Sequence, residues 1–438
     1  MPKRVLILGA GLVSQPIIDY LFEKTDYFLT VADILEANAT KAINHNPRGQ
    51  AKALDVNNSS GLRELVVGSD LVVSLLPYTL HAIVARHCLE AEKHMVNASY
   101  VTEELRAFDT AARGKNLLFL CEMGLDPGID HMSAMQIIHD IQSRGGVISE
   151  FISVCGGLPA PDANDNPFGY KFSWSPKGVL LAGNNSARFI AEGKVKTISS
   201  DELFHSITAM RIGDQHFEAY PNRDSIDYEH IYGLDGIQHL MRGTLRYAGW
   251  HKLMLALINL NLIKDTSVRT GKFSYAEILA GLNSFNIHKL RTDVARKLGM
   301  SENTTVMNAL DWLGLFDTTP HQNQKTNAID VLAELMQRKM SYGPGERDMV
   351  ALQHRFKAKF SDHEEEIRST LLDFGIPYGT SSMARTVSSP LAISVRLILE
   401  GKIKLAGIQI PVEPIIYEPV LAELKTMGIS FKEEVVRT

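Results

Sequence analysis

The sequence predicts an α/β protein: an N-terminal doubly wound parallel sheet, then a mixed α/β domain into which a helical domain is inserted. Three observations predict it. Strand-length apolar runs alternate with helical periods through residues 1–125. A glycine-rich turn directly follows the first of those runs, and an aspartate ends the second. From about residue 147 the alternation gives way to short strands and then to a long helical block.

Each element has its own signal. Residues 4–8 read RVLIL, an apolar run of strand length. Ile17, Ile18, Leu21 and Phe22 then share one helical face. Residues 28–32 make a second strand and 71–75 (LVVSL) another. Leu80, Ile83, Val84, Cys88 and Ala91 recur at helical spacing. Residues 94–98 and 117–121 read as further strands. Beyond 147, residues 150–155 are a strand candidate, followed by a loop rich in Pro, Gly, Asn and Asp. Residues 172–174, 195–198 and 216–219 add short strands. Leu and Met recur at helical spacing over 236–353, and YGPG at 342–345 is a turn that ends the block. Two more strand-like stretches precede a helix over 384–399, which Pro390 should kink or start. The expected domains are 1–125, rejoined by the tail 400–438; 126–235 with 354–399; and the helical 236–353.

Length and composition agree with this. At roughly 150 residues per domain, 438 residues suggest about three. With 45% apolar and 22% charged residues, a disordered or fibrous chain is excluded. The net charge of −5 offers no basic field to nucleic acid or to an anionic membrane. The longest apolar stretch, 253–263, is broken by Asn259 and Asn261 and is too short to span a bilayer. No secretory segment is recognisable, and the three cysteines, Cys88, Cys121 and Cys155, are a poor disulfide framework. A cytoplasmic location is expected. There is no CxxC, no HExxH and no zinc-spaced His pair, so no metal is expected.

Gly9-Ala10-Gly11-Leu12-Val13-Ser14 follows the first strand and opens a helix. Gly9 permits the tight turn, and Gly11 lets backbone approach a pyrophosphate. The helix N-terminus then offers free N–H groups to that phosphate. Small Ser14 stands where a third Gly or Ala is usual. Asp33 ends the second strand, placed to accept hydrogen bonds from ribose hydroxyls. It would repel a 2′-phosphate, and Ile34 and Leu35 bring no cation, so NAD is favoured over NADP. This is the signature of a Rossmann-type sheet. Asp55 and Val56 should lie after the third strand, by the adenine. Leu75 and Pro77 end the fourth, aimed at the nicotinamide half.

Other residues can carry chemistry. Ala98, Ser99 and Tyr100 follow the fifth strand, and Tyr100 is either a proton donor or a packing residue. Leu125-Asp126-Pro127-Gly128 follows the sixth strand; Asp126 is an acid or base, or the N-cap of the next helix, which is the stronger local reading. Asp130 and His131 are adjacent and should face apart on a helix. Cys155 should end its strand, where a free Cys is more commonly a small buried apolar group. Arg223 in PNRDS and Arg246 in GTLRY are candidate carboxylate anchors, because guanidinium grips carboxylate in a bidentate fork.

The runs GLDPGIDHM (124–132), 155–182, YPNRDS (220–225), GTLRY (243–247), ERDMVALQH (346–354) and SMARTV (382–387) together resemble the glutamate-forming saccharopine dehydrogenases, over essentially the whole chain. The resemblance implies interconversion of saccharopine with L-glutamate and 2-aminoadipate 6-semialdehyde, through an imine and a hydride transfer. It implies a homodimer acting on small molecules. It implies cofactor contacts at Gly9 to Val13, Asp33, Ile34, Leu35, Asp55, Val56, Leu75, Ala98, Leu125, Asp126, Pro127 and Trp174. Substrate contacts would fall at Ser99, Tyr100, Arg223, Thr244, Leu245 and Arg246, with Tyr100, Asp126 and Cys155 assisting catalysis. Fungal members use NADP and usually carry a basic residue after the second strand; Asp33-Ile34-Leu35 departs from that, so the cofactor stays open between NAD and NADP. Two alternatives remain at this point, an imine reductase of the carboxyspermidine type and a non-catalytic nucleotide-binding scaffold.

Overall fold

The structure, a computed structural model, describes residues 2–438. It divides into two compact units. One comprises the chain up to 148 with 358–365 and 379–438, the other 149–357 with 366–378.

The first unit is built on a parallel sheet. Its strands are β1 (Arg4–Leu8), β2 (Phe28–Asp33), β3 (Gly49–Ala53), β4 (Leu71–Ser74), β5 (His94–Asn97) and β6 (Leu118–Leu120), in the order β6-β5-β4-β1-β2-β3. A tail strand, Gly407–Gln409, adds in parallel beside β6. Val5 to Leu8 and all of β4 are buried, as both faces of a sheet flanked by helices must be. Order reverses at β1, between β2 and β4. Leu8 is level with Ala32 on one side and with Ser74 on the other. The carboxyl ends of the strands therefore form one edge around a switch point, where open α/β sheets bind ligands.

The helix Ser382–Leu399 packs on Gln15–Lys24, and its buried residues include the small Ser388 and Ser389. Pro390 neither starts nor ends it. The helix begins at Ser382, where Ser381 Oγ accepts from the Ala384 N–H at 3.1 Å.

The second unit carries a mixed sheet. Its strands are β7 (Val147–Pro159), β8 (Ala187–Ala191), β9 (Lys194–Ile198), β10 (Thr208–Ile212), β11 (Gln215–Pro221) and β12 (His239–Tyr247). A short pair follows, β13 (Gly271–Phe273) with β14 (His321–Asn323), then β15 (Asp348–Lys359) and β16 (Glu364–Phe374). The main order is β10-β11-β12-β7-β15-β16, with β12 parallel to β7 and antiparallel to β11. Gly156 is required in β7, because a Cβ there would stand 2.6 Å from the Leu245 carbonyl oxygen. One core runs from Val154 and Leu158 through Trp250 and Leu257 into the helices Thr305–Leu313 and Ala328–Lys339.

Three local expectations fail. Residues 172–174 form no strand; this stretch is loop, held by Phe172 N–H donating to the Met340 carbonyl at 2.9 Å. β7 continues past Cys155 to Pro159, since Gly156 lets the β12 backbone at Leu245 pass close by instead of breaking the run. The helical block expected from 236 starts later, because residues 239–247 form β12 and Gly249 starts the helix Trp250–Asn259.

Candidate functional site

Gly9 takes φ +100°, and a Cβ there would stand 3.1 Å from the Leu75 carbonyl oxygen. Only glycine fits so close to the β4 end. Gly11 is exposed, and a Cβ would meet nothing within 4 Å. The turn thus leaves open backbone where a diphosphate needs it, just before the helix Gln15–Lys24. Ser14 Oγ donates to the Gly11 carbonyl at 2.8 Å, and Ser388 Oγ donates to the Val13 carbonyl from the tail helix.

Asp33 accepts from the Ala10 N–H at 2.9 Å, the Leu35 N–H at 3.0 Å and Asn38 Nδ2 at 3.1 Å. Partial burial would raise its pKa, but these donors outweigh it and hold the carboxyl below the usual range. Beside it Ile34 and Leu35 stand 70% and 62% exposed, and Leu12 67%. Bare apolar side chains around an open turn fit the rim of an adenosine site. Asp55 is exposed just past β3, with Val56 buried behind it.

The turn after β6 is set by two glycines. The Gly124 N–H donates to the Pro127 carbonyl at 2.9 Å, and a Cβ on Gly128 (φ +146°) would stand 2.0 Å from the Gly124 carbonyl oxygen. This carries Asp126 to Tyr100, whose hydroxyl donates to Asp126 Oδ1 at 2.8 Å. The expected N-cap role of Asp126 is not seen. Gly128 holds the N-cap position of Ile129–Ser143, and its N–H donates to Asp130 Oδ1 at 2.6 Å. His131 lies 3.9 Å from Asp130 but 2.8 Å from Glu122, and Glu122 also accepts from the Val101 N–H. This buried pair ties the loop bearing Tyr100 to the helix behind Asp126. Its separation along the chain left no local signal.

Ser99 also has a buried contact that sequence reading missed. His81, fully buried, joins Ser74 Oγ through Nδ1 and Ser99 Oγ through Nε2, each at 2.9 Å. Leu75 and Ala98 flank these serines.

Cys155, Trp174, Arg223 and residues 244–246 lie in the second unit. Cys155 is level with Thr244 across the β7–β12 pair, and Thr244 is level with Tyr220 on its other side. Arg223 is exposed in the left-handed region (φ +56°), a strained conformation for a non-glycine residue. It follows Asn222, whose N–H donates to the Arg242 carbonyl at 2.8 Å. Leu245 is fully buried in the core, so only its backbone can face a ligand.

Arg246 is the sharpest feature of this unit. It is 4% exposed, with its guanidinium 5.1 Å from the Tyr170 ring and 5.5 Å from Trp250. Nη1 donates to the Leu245 carbonyl at 2.7 Å, while Nε has no partner. No ion pair joins it to a carboxylate among the described residues. Glu218, level with it on β11, accepts from Gly249 N–H, His251 N–H and His251 Nδ1. Burial pushes the Tyr170 and Tyr220 phenols up, and Arg246 partly offsets this. A buried cation without a counter-ion is costly unless a ligand supplies one.

Residues 5–120 match the saccharopine dehydrogenase NADP binding domain, and 124–429 the saccharopine dehydrogenase C-terminal domain. Over its full length the chain is 38% identical to the NADP(+), L-glutamate-forming saccharopine dehydrogenase of Saccharomyces cerevisiae, all of which is covered. It is 36% identical, over 98% of its length, to 47% of the mitochondrial alpha-aminoadipic semialdehyde synthase of Bos taurus. The solved apo structure of the saccharopine dehydrogenase (L-Glu forming) from Saccharomyces cerevisiae superposes with a TM-score of 0.89 at 37% identity, covering 99% of this chain and 100% of that one.

Proposed function

The chain belongs to the saccharopine dehydrogenase family, and from that premise we infer that it interconverts saccharopine with L-glutamate and 2-aminoadipate 6-semialdehyde. In the oxidative direction the C–N bond of the secondary amine is oxidised to a protonated imine, and water adds to its carbon and releases the glutamate amine, the semialdehyde and a proton. The observation that carries this reading is Arg246: a buried guanidinium with no counter-ion suits a substrate with carboxylates.

When bound, the dinucleotide supplies the hydride carrier. The open turn at Gly9 to Val13 would hold its diphosphate and Asp33 its adenosine ribose. The rest falls to side chains. Arg246 and Arg223 bind and orient substrate carboxylates. Tyr100 holds a proton against Asp126 Oδ1, and the pair can pass it toward the reacting nitrogen. Cys155, beside Thr244, lines the site. Tyr100, Asp126 and Cys155 assist, because most of the rate comes from orientation.

The matched domain and the fungal relatives are described with NADP. Here we favour NAD, because Asp33 stays ionised where a 2′-phosphate would sit and Ile34 and Leu35 bring no cation. The proposal includes the three-part division expected from the sequence, a homodimer and a cytoplasmic location; among the described residues no helix is long and apolar enough to cross a membrane. The test is saccharopine oxidation with NAD and NADP side by side, with a diamine plus aspartate semialdehyde as the competing assay. Turnover of saccharopine alone supports the reading. Dinucleotide binding without saccharopine turnover overturns it.

A further inference from the structure

We propose that His81 is a positioning residue that fixes Ser99 as a hydrogen-bond donor, so that the substrate group met by Ser99 is a carboxylate and not an ammonium. This rests on the proposed function in one respect, that Ser99 touches substrate.

The placement of hydrogens decides the direction of the chain. Ser74, His81 and Ser99 are linked in series, with 2.9 Å from Ser74 Oγ to Nδ1 and 2.9 Å from Nε2 to Ser99 Oγ. His81 is completely buried on the first turn of its helix, and burial lowers its pKa to about 4. The ring is therefore neutral near pH 7, with one N–H and one lone pair. Only two arrangements satisfy both hydrogen bonds. In one, Ser99 O–H donates to Nε2 and Nδ1–H donates to Ser74. The Ser74 hydrogen then needs an acceptor, and Ser74 Oγ, 1% exposed, has no second partner among the described residues. A buried donor left unmade is costly. In the other, Ser74 O–H donates to Nδ1 and Nε2–H donates to Ser99 Oγ. Every internal hydrogen is then used, and the free one is on Ser99.

Ser99 is the half-buried end of the chain, so its hydrogen can point outward. Its backbone is held at the same time. The Ser99 N–H donates to Asn97 Oδ1 at 2.9 Å, and the Ser99 carbonyl accepts from the Glu122 N–H at 3.1 Å. A fixed outward O–H suits an acceptor with negative charge. The next residue, Tyr100, already commits its own hydrogen to Asp126. Ser99 thus supplies the donor that Tyr100 does not.

Two readouts on the full-length protein test this. Two-bond proton–nitrogen spectra of ¹⁵N-histidine protein, with His81→Gln to assign the ring, should show the Nε2–H form in wild type. In Ser74→Ala the Nδ1 lone pair loses its donor while Nε2–H keeps Ser99, so the ring should stay in the Nε2–H form. In kinetics, Ser99→Ala should raise the saccharopine KM about 10- to 100-fold, with dinucleotide affinity unchanged and recovery in Ser99→Thr. His81→Phe, which keeps a buried ring but removes the Nε2–H that holds Ser99, should raise the same KM about three- to tenfold with kcat nearly unchanged. A wild-type Nδ1–H form overturns the proposal. So does an inert His81→Phe beside an effective Ser99→Ala, which leaves Ser99 in the substrate site but without need of His81. An inert Ser99→Ala removes Ser99 from that site and takes the proposal with it.

Discussion

Replacing Arg246 by methionine separates binding from folding. Methionine keeps a long apolar stem against Tyr170 and Trp250 and removes only the guanidinium. On the binding side, losing a charge-assisted fork to a carboxylate costs about 3 kcal/mol, a rise in saccharopine KM of about 150-fold. On the folding side two effects oppose each other. The orphaned Nε costs about 1–3 kcal/mol where it stands, and its removal returns that. The cation–π attraction to the two rings, which methionine does not make, is worth about 0.5–2 kcal/mol. Net stability should therefore fall by no more than about 1 kcal/mol, or about 3 °C in Tm for a unit of this size. A structural buried salt bridge would behave otherwise, losing about 3–5 kcal/mol when one partner goes. Saccharopine kinetics and thermal unfolding of the same preparation decide it. A Tm drop of about 10 °C, or an unchanged KM, would refute the assignment of Arg246 as a ligand-compensated cation.

Arg223→Ala should raise the saccharopine KM with little change in Tm, because the residue is exposed; an unchanged KM removes it from the site. Asp33→Asn should raise kcat/KM for NADP relative to NAD by about tenfold, the discounted repulsion of a 2′-phosphate by a part-exposed carboxylate; a constant ratio refutes the NAD preference. Tyr100→Phe and Cys155→Ala should slow turnover about ten- to a hundredfold at most. Complete loss of activity in a folded variant would show an essential group. Glu365 is held to about pKa 2 by Arg144, assisted by His363 and Arg437, against partial desolvation. Its folded pKa lies below the unfolded 4.5, so its stabilisation is present above pH 4.5 and fades as pH falls toward 2. Melting curves of Glu365→Gln against wild type should diverge at neutral pH and converge in acid; a constant gap contradicts this.

The local sequence determined a good deal. RVLIL followed by GAGLVS and an aspartate at the end of the next strand specifies strand, turn and helix. Those features depend on apolar spacing and on glycine's access to positive φ. It also named Tyr100, Asp126 and Arg246 as polar groups able to carry chemistry. Tertiary structure decided what each of them does. Asp126 looked like a helix cap, and only the turn closed by Gly124 and Gly128 brings it to Tyr100. Arg246 looked like any arginine, and only its place on β12, with Glu218 committed to the next helix, leaves its charge buried and unpaired. Residues 172–174 read as a strand because strand propensity is local, whereas the loop they form is held by Met340, far along the chain. His81 carried no signal at all. Its partners lie at the ends of two different strands, and neighbouring strands of a parallel sheet are brought level by register, which no short window of sequence contains.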